Sequence, residues 1–235
     1  MIYTVIIIIK CLAALLVGVI AGNGAVYFFN KMPAKWLCDY GEEPTEELQD
    51  KYVQRVKSYP WKYIFSIFFT IIGIKLIVSD ALFAAPAIIA IWILLEIAIA
   101  DKKYMIIPDQ LIIILAVTTL GFIPYLTGWV DILLGCLIGF GIMIITGFLG
   151  KVIYKKDALG GGDIKLFSVL GLMTGTNGII AIFIMTTLFS SGHFIYELIR
   201  KTAKKGDTRP MGPYIMVSVT LYLVFLWGYS KVLYL

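Results

Sequence analysis

Long apolar runs, separated by short polar or charged stretches, dominate the pattern of this chain. One of them, residues 81–100, contains Glu96 as its single charged side chain. A helix needs about 20 apolar residues to cross a bilayer, whereas the core of a water-soluble domain does not need runs of this length. The chain is therefore expected to be an all-α, polytopic membrane bundle of about eight transmembrane helices. Division of the runs at charges, prolines and glycines places them near 11–30, 61–79, 81–100, 106–127, 129–150, 164–176, 178–199 and 211–233.

Lysine and arginine residues occur almost wholly in alternate connections between these segments. The first, third, fifth and seventh loops are basic, whereas the second, fourth and sixth contain neither residue type. Because positively charged loops stay in the cytoplasm, both termini are expected on the non-cytoplasmic side of the cell membrane. The net charge of +5 therefore follows from topology. The apolar segments predict the lipid bilayer as a partner. The net charge gives no reason to expect nucleic acid.

The N-terminal apolar run is expected to remain in the protein as a first transmembrane helix over residues 1–30. It lacks the basic start of a secretory signal, since Lys10 is the first cation, and no small-residue cleavage site follows it. Residues 31–60 then form one long cytoplasmic loop, which is too short to fold as an independent domain.

A helix is predicted inside this loop, over residues 46–57. Leu48, Tyr52 and Val56 are spaced four apart and would share one helical face. Thr45 precedes the first helical residue and is the expected N-cap.

The composition excludes several kinds of active site. The sequence is 60% hydrophobic and 15% charged, with three cysteines and one histidine, His193. No C-x-x-C pair or disulfide framework can be drawn, and a histidine-rich metal site is excluded. A Ser-His-Asp triad would have to use His193, which lies at an apolar position of a predicted membrane helix. We expect His193 to be a buried polar residue packed between helices.

Acidic residues near membrane helices are candidates for function because they are costly to place there. Asp80 and Asp131 lie at predicted outer helix ends, where solvated boundary residues are expected. Glu197 lies one turn before Arg200 and Lys201, so a local ion pair at a helix end explains its position. Glu96 lies inside the third segment, near its cytoplasmic end. We expect its carboxylate to extend towards water rather than to line a polar cavity.

Asp101 and Asp109 form a first candidate motif. Asp101 ends the third segment, and Pro108 precedes Asp109 at the start of the fourth. Proline disfavours helix in the residue before it and is tolerated in a first helical turn, so a tight reversal or a kinked helix start is predicted. Taken alone, this stretch is better explained as an ordinary cytoplasmic turn with one capping acid.

Three glycines before Asp163 form a second candidate motif, Gly160-Gly161-Gly162-Asp163-Ile-Lys165. The glycines permit close backbone approach and place Asp163 at the start of the sixth segment. A polyglycine hinge with a capping aspartate and, less strongly, a phosphate-binding loop would also account for this motif. The topology places Asp163 on the same side of the bilayer as Asp101. Two neighbouring carboxylates share one proton and titrate as a unit, which is the chemistry of aspartic proteases.

At these residues the chain resembles the type IV prepilin peptidase family, membrane aspartic proteases of the G-x-G-D class. Asp101 with Ile107-Pro108-Asp109 is similar to the first aspartate motif of the family, and Gly160-x-Gly162-Asp163-x-Lys165 to the second. Residues 18–33 resemble its opening helix, and Pro-Met-Gly-Pro at 210–213 resembles the start of its last helix. The four segments occur in the order of the family.

The resemblance implies a peptidase domain over residues 61–235 that removes the basic leader of type IV pilin-like precursors. The cut would follow a glycine at the cytoplasmic membrane face. Asp101 and Asp163 would be the catalytic pair, and no metal or cofactor would be needed for proteolysis. The implied supporting residues are Asp109, Pro108, Gly160, Gly162 and Lys165.

The chain departs from the family at its first loop. Bifunctional members carry four cysteines there and methylate the new N-terminus with S-adenosylmethionine, whereas this loop has Cys38 alone. A structural zinc site is therefore excluded, and S-adenosylmethionine is expected only if methyltransferase activity is retained.

Three further classes of membrane protein compete with this interpretation. Presenilin-like proteases share G-x-G-D, but Ala100 replaces the tyrosine that precedes their first aspartate. A transporter or channel with a glycine-broken helix would be expected to contain an internal repeat, and the sequence shows none. A purely structural assembly protein would leave the two aspartate motifs unexplained.

Overall fold

In the computed structural model, residues 2–38, 41–50, 53–155, 159–201 and 209–227 are described, and every regular element among them is helical. The predicted all-α class is thereby confirmed for these ranges. Three short helical turns accompany the α-helices: Ala34–Trp36, Thr119–Tyr125 and the π-helical Tyr222–Leu226. The α-helices of the described chain are α1 (Ile2–Lys31), α2 (Glu46–Gln49), α3 (Ser58–Ser79), α4 (Ala81–Tyr104), α5 (Asp109–Thr118), α6 (Trp129–Tyr154), α7 (Gly161–Ile199) and α8 (Gly212–Leu221).

Five of these helices, α1, α3, α4, α6 and α7, are long and apolar enough to cross a membrane. Two shorter apolar stretches, Asp109–Tyr125 and Gly212–Leu226, coincide with the fourth and eighth predicted segments. Helices of this length and composition are those of a multi-pass membrane protein.

Helix α7 consists of two antiparallel arms, residues 161–174 and 176–199. Gly175 between them has φ +69° and ψ −173°, a conformation that favours glycine. The rings of Phe167 and Phe183 lie 6.1 Å apart between centroids. A straight helix would separate residues so far apart in sequence by about 24 Å. The chain therefore reverses at Gly175, close to the break predicted between the sixth and seventh segments.

Asp131, in the first turn of α6, holds this reversal in place. Its Oδ1 accepts the N–H of Thr176 at 3.0 Å, and its Oδ2 accepts the hydroxyl of Thr127 at 2.9 Å. A Cβ atom on Gly175 would collide with the same carboxylate. Asp131 is half-buried and satisfies a free N–H at the start of the second arm, so it is more than the solvated boundary residue that the sequence predicted.

Glycines bring α6 into backbone contact with both arms of α7. A Cβ atom on Gly139 would lie 3.0 Å from the carbonyl carbon of Phe167 and 3.2 Å from Cγ1 of Ile179. Gly135 and Gly171 face each other so closely that neither has room for a side chain. Small residues allow this approach, on which helix packing inside a bilayer depends.

The chain divides into two compact units, residues 1–96 and 97–235, with the boundary inside α4. In the first unit α1 packs along α3. Gly18 of α1 faces Thr70 of α3, and a Cβ atom on Gly18 would overlap the Thr70 backbone. Helices α5 to α8 belong to the second unit, together with the last two turns of α4.

The loop after α1 is held by side-chain to backbone hydrogen bonds. Asn30 donates to the carbonyl of Val56 and accepts its N–H, both at 2.9 Å. Arg55 donates to backbone carbonyls at the end of α1, including that of Phe29 at 3.3 Å. These bonds use the Val56 N–H that a continuing helix would need.

The helix predicted over residues 46–57 is accordingly wrong for most of its length. Among the described residues of that stretch only α2 is helical. Leu48 and Val56 are buried, as their spacing predicts, while Tyr52 lies outside the described residues. Thr45 occupies the N-cap position, but its side chain makes no capping hydrogen bond.

Candidate active site

Asp101 lies in the last turn of α4, within the second unit, and is only 6% exposed. Its Oδ2 accepts the N–H of Gly212 at 2.6 Å. The N–H of Met211 faces the same carboxylate. These donors belong to the start of α8, where backbone N–H groups have no partner within the helix. They fix the orientation of the Asp101 carboxylate.

Gly212 makes this approach possible because it has no side chain. A Cβ atom there would lie 2.9 Å from Oδ2 of Asp101 and 3.4 Å from the Cα atom of Ala98. Pro213 follows within the first turn, where proline is preorganised for a helix. The sequence showed the Pro-Met-Gly-Pro motif, but no site role was predicted for Gly212. A glycine between prolines at the start of a helix was the signal that could have suggested one.

Helix α4 ends at a residue with positive φ. Met105 has φ +58°, and its N–H bonds to the carbonyl of Asp101 at 2.8 Å, which ends the helix. Pro108 is the N-cap residue of α5, and Asp109 lies in the first turn of that helix. A helix break before Asp109, which both predicted alternatives require, is confirmed.

Asp163 lies in the first turn of α7, and Gly160 is the N-cap residue of that helix. The Asp163 N–H donates to the carbonyl of Gly160 at 3.2 Å. The Asp163 carboxylate in turn accepts a hydrogen bond from the Gly160 backbone. This is one half of a capping box, the half in which a side chain three residues into a helix bonds back to the cap residue; Gly160 has no side chain to form the other half. Oδ1 of Asp163 is buried and, among the described residues, has no hydrogen-bond partner.

The two predicted motifs touch each other. A Cβ atom on Gly162 would lie 2.8 Å from Cβ of Ile107, so the absence of a side chain lets Ile107 pack against the glycine turn. Lys165 donates to both carboxylate oxygens of Asp109, at 2.8 and 2.7 Å. Two of the implied supporting residues, Asp109 and Lys165, therefore form an ion pair with each other.

The Asp101 and Asp163 carboxylates are close enough to interact electrostatically. They come from opposite helix ends, since Asp101 lies near the end of α4 and Asp163 at the start of α7. Two such groups cannot easily both ionise, so one proton shared between them is the favourable state. An acid and its conjugate base side by side are the groups that general acid–base hydrolysis requires.

Glu96 is fully buried, and the expectation that it extends towards water is wrong. In the part of the chain that the structure describes, neither of its carboxylate oxygens has a hydrogen-bond partner. The reason is that α4 is the most buried of the candidate membrane helices, so few of its side chains face outwards.

His193 is exposed, and the prediction of a buried histidine packed between helices is wrong. Its Nδ1 lies 2.8 Å from the hydroxyl of Tyr214. Glu197 pairs with Arg209, a partner that the sequence did not suggest beside Arg200 and Lys201. Apolar periodicity places a residue on a helix but does not reveal which helix face meets a neighbour.

The cysteine content of the first loop does not fit a zinc site. Cys38 there donates to the carbonyl of Lys35 at 3.5 Å and is the one sulfur ligand of residues 31–60. A structural zinc site needs four ligands, so this donor set is insufficient. Among the described residues, no group of three or more histidine, cysteine, aspartate or glutamate side chains could hold a metal ion.

Residues 88–195, which include Asp101, Asp109 and Asp163, match the model of the type IV leader peptidase family. The family resemblance is confirmed. The match to the type IV leader peptidase family covers α4 from its middle onwards, α5, α6 and most of α7.

Curated relatives with the name prepilin leader peptidase/N-methyltransferase extend this match. The protein of Bacillus subtilis (strain 168) is 27% identical over 171 residues, which are 69% of this chain and 62% of the relative. That of Pseudomonas aeruginosa is 26% identical over 149 residues, 62% of this chain and 50% of the relative. That of Vibrio cholerae is 27% identical over 133 residues, 55% of this chain and 51% of the relative. The chain thus spans between 50% and 62% of these relatives, and no solved structure matches it.

Proposed function

We propose that this chain is a membrane-embedded aspartic endopeptidase that removes the leader peptide of type IV pilin-like precursors. The observation that carries the proposal is the pair of mutually interacting carboxylates, Asp101 and Asp163, inside the region that matches the type IV leader peptidase family. The names of the curated relatives support the substrate class. The family match favours this function over a transporter or channel with a glycine-broken helix.

In the proposed mechanism one carboxylate takes a proton from water as the water attacks the peptide carbonyl carbon. The other donates its proton to the carbonyl oxygen. As the C–N bond breaks, the carboxyl group that took the proton from water gives it to the leaving amine, and the other recovers its proton from the tetrahedral intermediate. The Gly212 N–H orients Asp101 for this reaction. Oδ1 of Asp163, without a hydrogen-bond partner among the described residues, is available to water or substrate. Neither step uses a metal ion or a cofactor.

Five other residues position this pair. In the proposal, Gly160 and Gly162 give Asp163 its helix start and let Ile107 approach. Pro108 sets the direction of α5. Asp109 and Lys165 join the two motifs without touching the reacting atoms.

We place the catalytic pair at the cytoplasmic face of the cell membrane, in a chain that crosses the bilayer eight times with both termini outside. Each of the eight predicted segments coincides with a helix or with one arm of α7, which supports this count. The alternation of basic loops supports the direction of insertion. The bilayer is therefore the second partner of the chain, beside the pilin-like substrate.

Methylation is not part of the proposed activity, although the names of the relatives include it. The single cysteine of residues 31–60 removes the zinc site expected of bifunctional family members. Incubation of the cleaved product with the protein and S-adenosylmethionine tests this directly. A gain of one methyl group at the new N-terminus, found by mass spectrometry, would add that second activity.

The test of the peptidase is cleavage of a synthetic peptide with a basic leader, a glycine and an apolar helix, by the purified protein in detergent. We expect one cut, after the glycine, located by mass spectrometry. Activity should survive excess chelator and fall at alkaline pH, because the shared proton is then lost. If chelator stops cleavage and added metal restores it, Asp101 and Asp163 are metal ligands and the proposed mechanism is wrong. The absence of any cut would overturn the proposed function itself.

A further inference from the structure

A second cluster of polar side chains lies beside the segment that holds Asp101. Arg209, before α8, pairs with Glu197 in the second arm of α7. The hydroxyl of Tyr214, in α8, lies 2.8 Å from Nδ1 of His193. His193 is also 3.5 Å from the Glu197 carboxylate. We refer to these four residues as the α7–α8 cluster.

The cluster encloses the donors to Asp101. Met211 and Gly212, whose N–H groups meet that carboxylate, lie between Arg209 and Tyr214 in the sequence. Both flanking side chains contact the second arm of α7. The short segment between them is therefore attached to α7 at each end, and its two N–H groups are directed at Asp101.

The Glu197–Arg209 pair is well suited to such attachment because it is partly buried. Its side chains are 22% and 26% exposed, whereas those of the Asp109–Lys165 pair are 56% and 58% exposed. Burial reduces screening by salt, so the former pair is the stronger constraint. Arg209 also lies over the ring of Phe194, 5.3 Å from its centroid, which further fixes the guanidinium.

We propose that the Glu197–Arg209 ion pair, supported by the His193–Tyr214 contact, is a positioning device for Asp101. It holds the Gly212 N–H where Oδ2 of Asp101 needs it and touches neither substrate nor the reacting atoms. The inference rests on the proposed peptidase function for its effect on turnover. Its effect on the Gly212 amide does not depend on any activity.

The amide of Gly212 can be observed selectively. Pro210 and Pro213 have no N–H, so the backbone amides of residues 210–213 are those of Met211 and Gly212 alone. Hydrogen–deuterium exchange of a proteolytic peptide that contains this segment therefore reports the bonds to Asp101. We expect Glu197→Gln and Arg209→Gln each to accelerate exchange there by at least about tenfold, because loss of the ion pair frees the segment to open locally.

The same variants should lower kcat for leader cleavage by about tenfold with KM within about twofold, since misplacement of a catalytic group affects the chemical step. Arg209→Lys keeps the charge but loses the planar fork, so its kcat should be intermediate. The charge exchange Glu197→Arg with Arg209→Glu should restore both exchange rate and kcat to within about threefold of wild type. Arg200→Gln is the matched control, because Arg200 lies over Tyr196 of its own helix, 4.9 Å from the ring centroid. It should change neither readout.

The two proposals fail in different ways. If the wild-type protein cleaves no leader peptide while Glu197→Gln and Arg209→Gln accelerate exchange, the peptidase function is wrong and the attachment of the segment stands. If the wild type cleaves and the folded variants leave exchange and kcat unchanged, the positioning role is wrong. A rise in KM at constant kcat would also overturn it, because the cluster would then act on substrate binding. Folding is judged from elution volume and unfolding temperature, and a variant that fails is replaced by Arg209→Lys.

Discussion

Asp101 and Asp163 are held by backbone groups of different origin. Asp163 is bound by the N-cap glycine of its own helix, so its position depends on a few residues of local sequence. Asp101 is bound by Gly212, which is 111 residues away in the chain. The first arrangement follows from one motif, whereas the second requires the correct packing of α4 against the start of α8. Damage to the fold is therefore expected to affect Asp101 before Asp163.

Replacement of either carboxylate by an amide should abolish cleavage. An asparagine cannot share the proton, so Asp101→Asn and Asp163→Asn should each lower kcat by at least about 10²-fold. The peptide cleavage assay measures this, with elution volume as the check on folding. Asp80→Asn is the control, since Asp80 caps α4 through the N–H groups of Leu82 and Phe83, and asparagine is an equally good cap. Activity near wild type in either site variant would show that the wrong acids have been assigned.

Gly212→Ala should damage the site without damaging helix α8. The added Cβ atom would lie 2.9 Å from Oδ2 of Asp101, so the hydrogen bond must lengthen or break. We expect a loss of about tenfold or more in kcat, comparable to other misplacements of a catalytic group. Gly141→Ala is the matched control, because a Cβ atom there meets nothing within 4 Å. Equal activities of the two alanine variants would mean that the close approach at Gly212 is not required.

At the scale of elements, α5 and α7 are joined by the Asp109–Lys165 pair on the exposed side of the site. Ion pairs that are more than half exposed contribute only about 0–1 kcal/mol, because solvent and salt screen them. Asp109→Asn should therefore be much milder than Asp101→Asn, with a loss in kcat of up to about fivefold.

A charge exchange, Asp109→Lys with Lys165→Asp, should recover most of that loss. The cleavage assay at low and high salt is the measurement, and the effect should shrink as salt rises. If Asp109→Asn is as damaging as Asp101→Asn, then Asp109 takes part in the reaction and the first motif was assigned incorrectly.

The reversal within α7 depends on Gly175. A side chain at this positive φ with extended ψ costs about 1–3 kcal/mol, and here it would also collide with Asp131. Gly175→Ala should thus lower the unfolding temperature in detergent, whereas Gly192→Ala, with open space around its Cβ position, should not. A thermal unfolding series on the two variants tests this. Equal stabilities would contradict the role of Gly175.

At the scale of the whole molecule, topology can be tested with single cysteines after Cys11, Cys38 and Cys136 are replaced. A cysteine at Lys102 should react in intact cells only with membrane-permeant reagents, because the loop after α4 is expected in the cytoplasm. A cysteine at Ser79, at the end of α3 on the opposite predicted side, should react with impermeant reagents. Lys156 and Lys204, which belong to the same predicted side as Lys102, lie outside the described residues and provide further positions. Labelling of Lys102→Cys by an impermeant reagent would overturn the predicted topology.

The sequence was sufficient to predict the long apolar helices, and it placed the two aspartate motifs at helix ends that the structure shows. Apolar run length and the proline and glycine positions are local properties, and they placed α5 and the break at Gly175 correctly. The role of Gly212 could not be predicted, since it arises from contact between distant segments. The same is true of the burial of Glu96 and the exposure of His193, which depend on the face that each helix turns to its neighbours. The helix predicted over 46–57 was wrong for most of its described length. Asn30 binds the N–H and the carbonyl of Val56, and a continuing helix would need that N–H for its own hydrogen bonds.

The short first arm of α7, residues 161–174, also bears on the depth of the site in the bilayer. Its 14 residues, 161–174, rise only about 21 Å, whereas the hydrocarbon layer is about 30 Å thick. If the turn at Gly175 lies at the outer boundary, the arm ends about 9 Å before the inner one. The Asp163 carboxylate then lies beneath the lipid headgroups, and the water consumed in each hydrolysis has to reach it along a path through the protein.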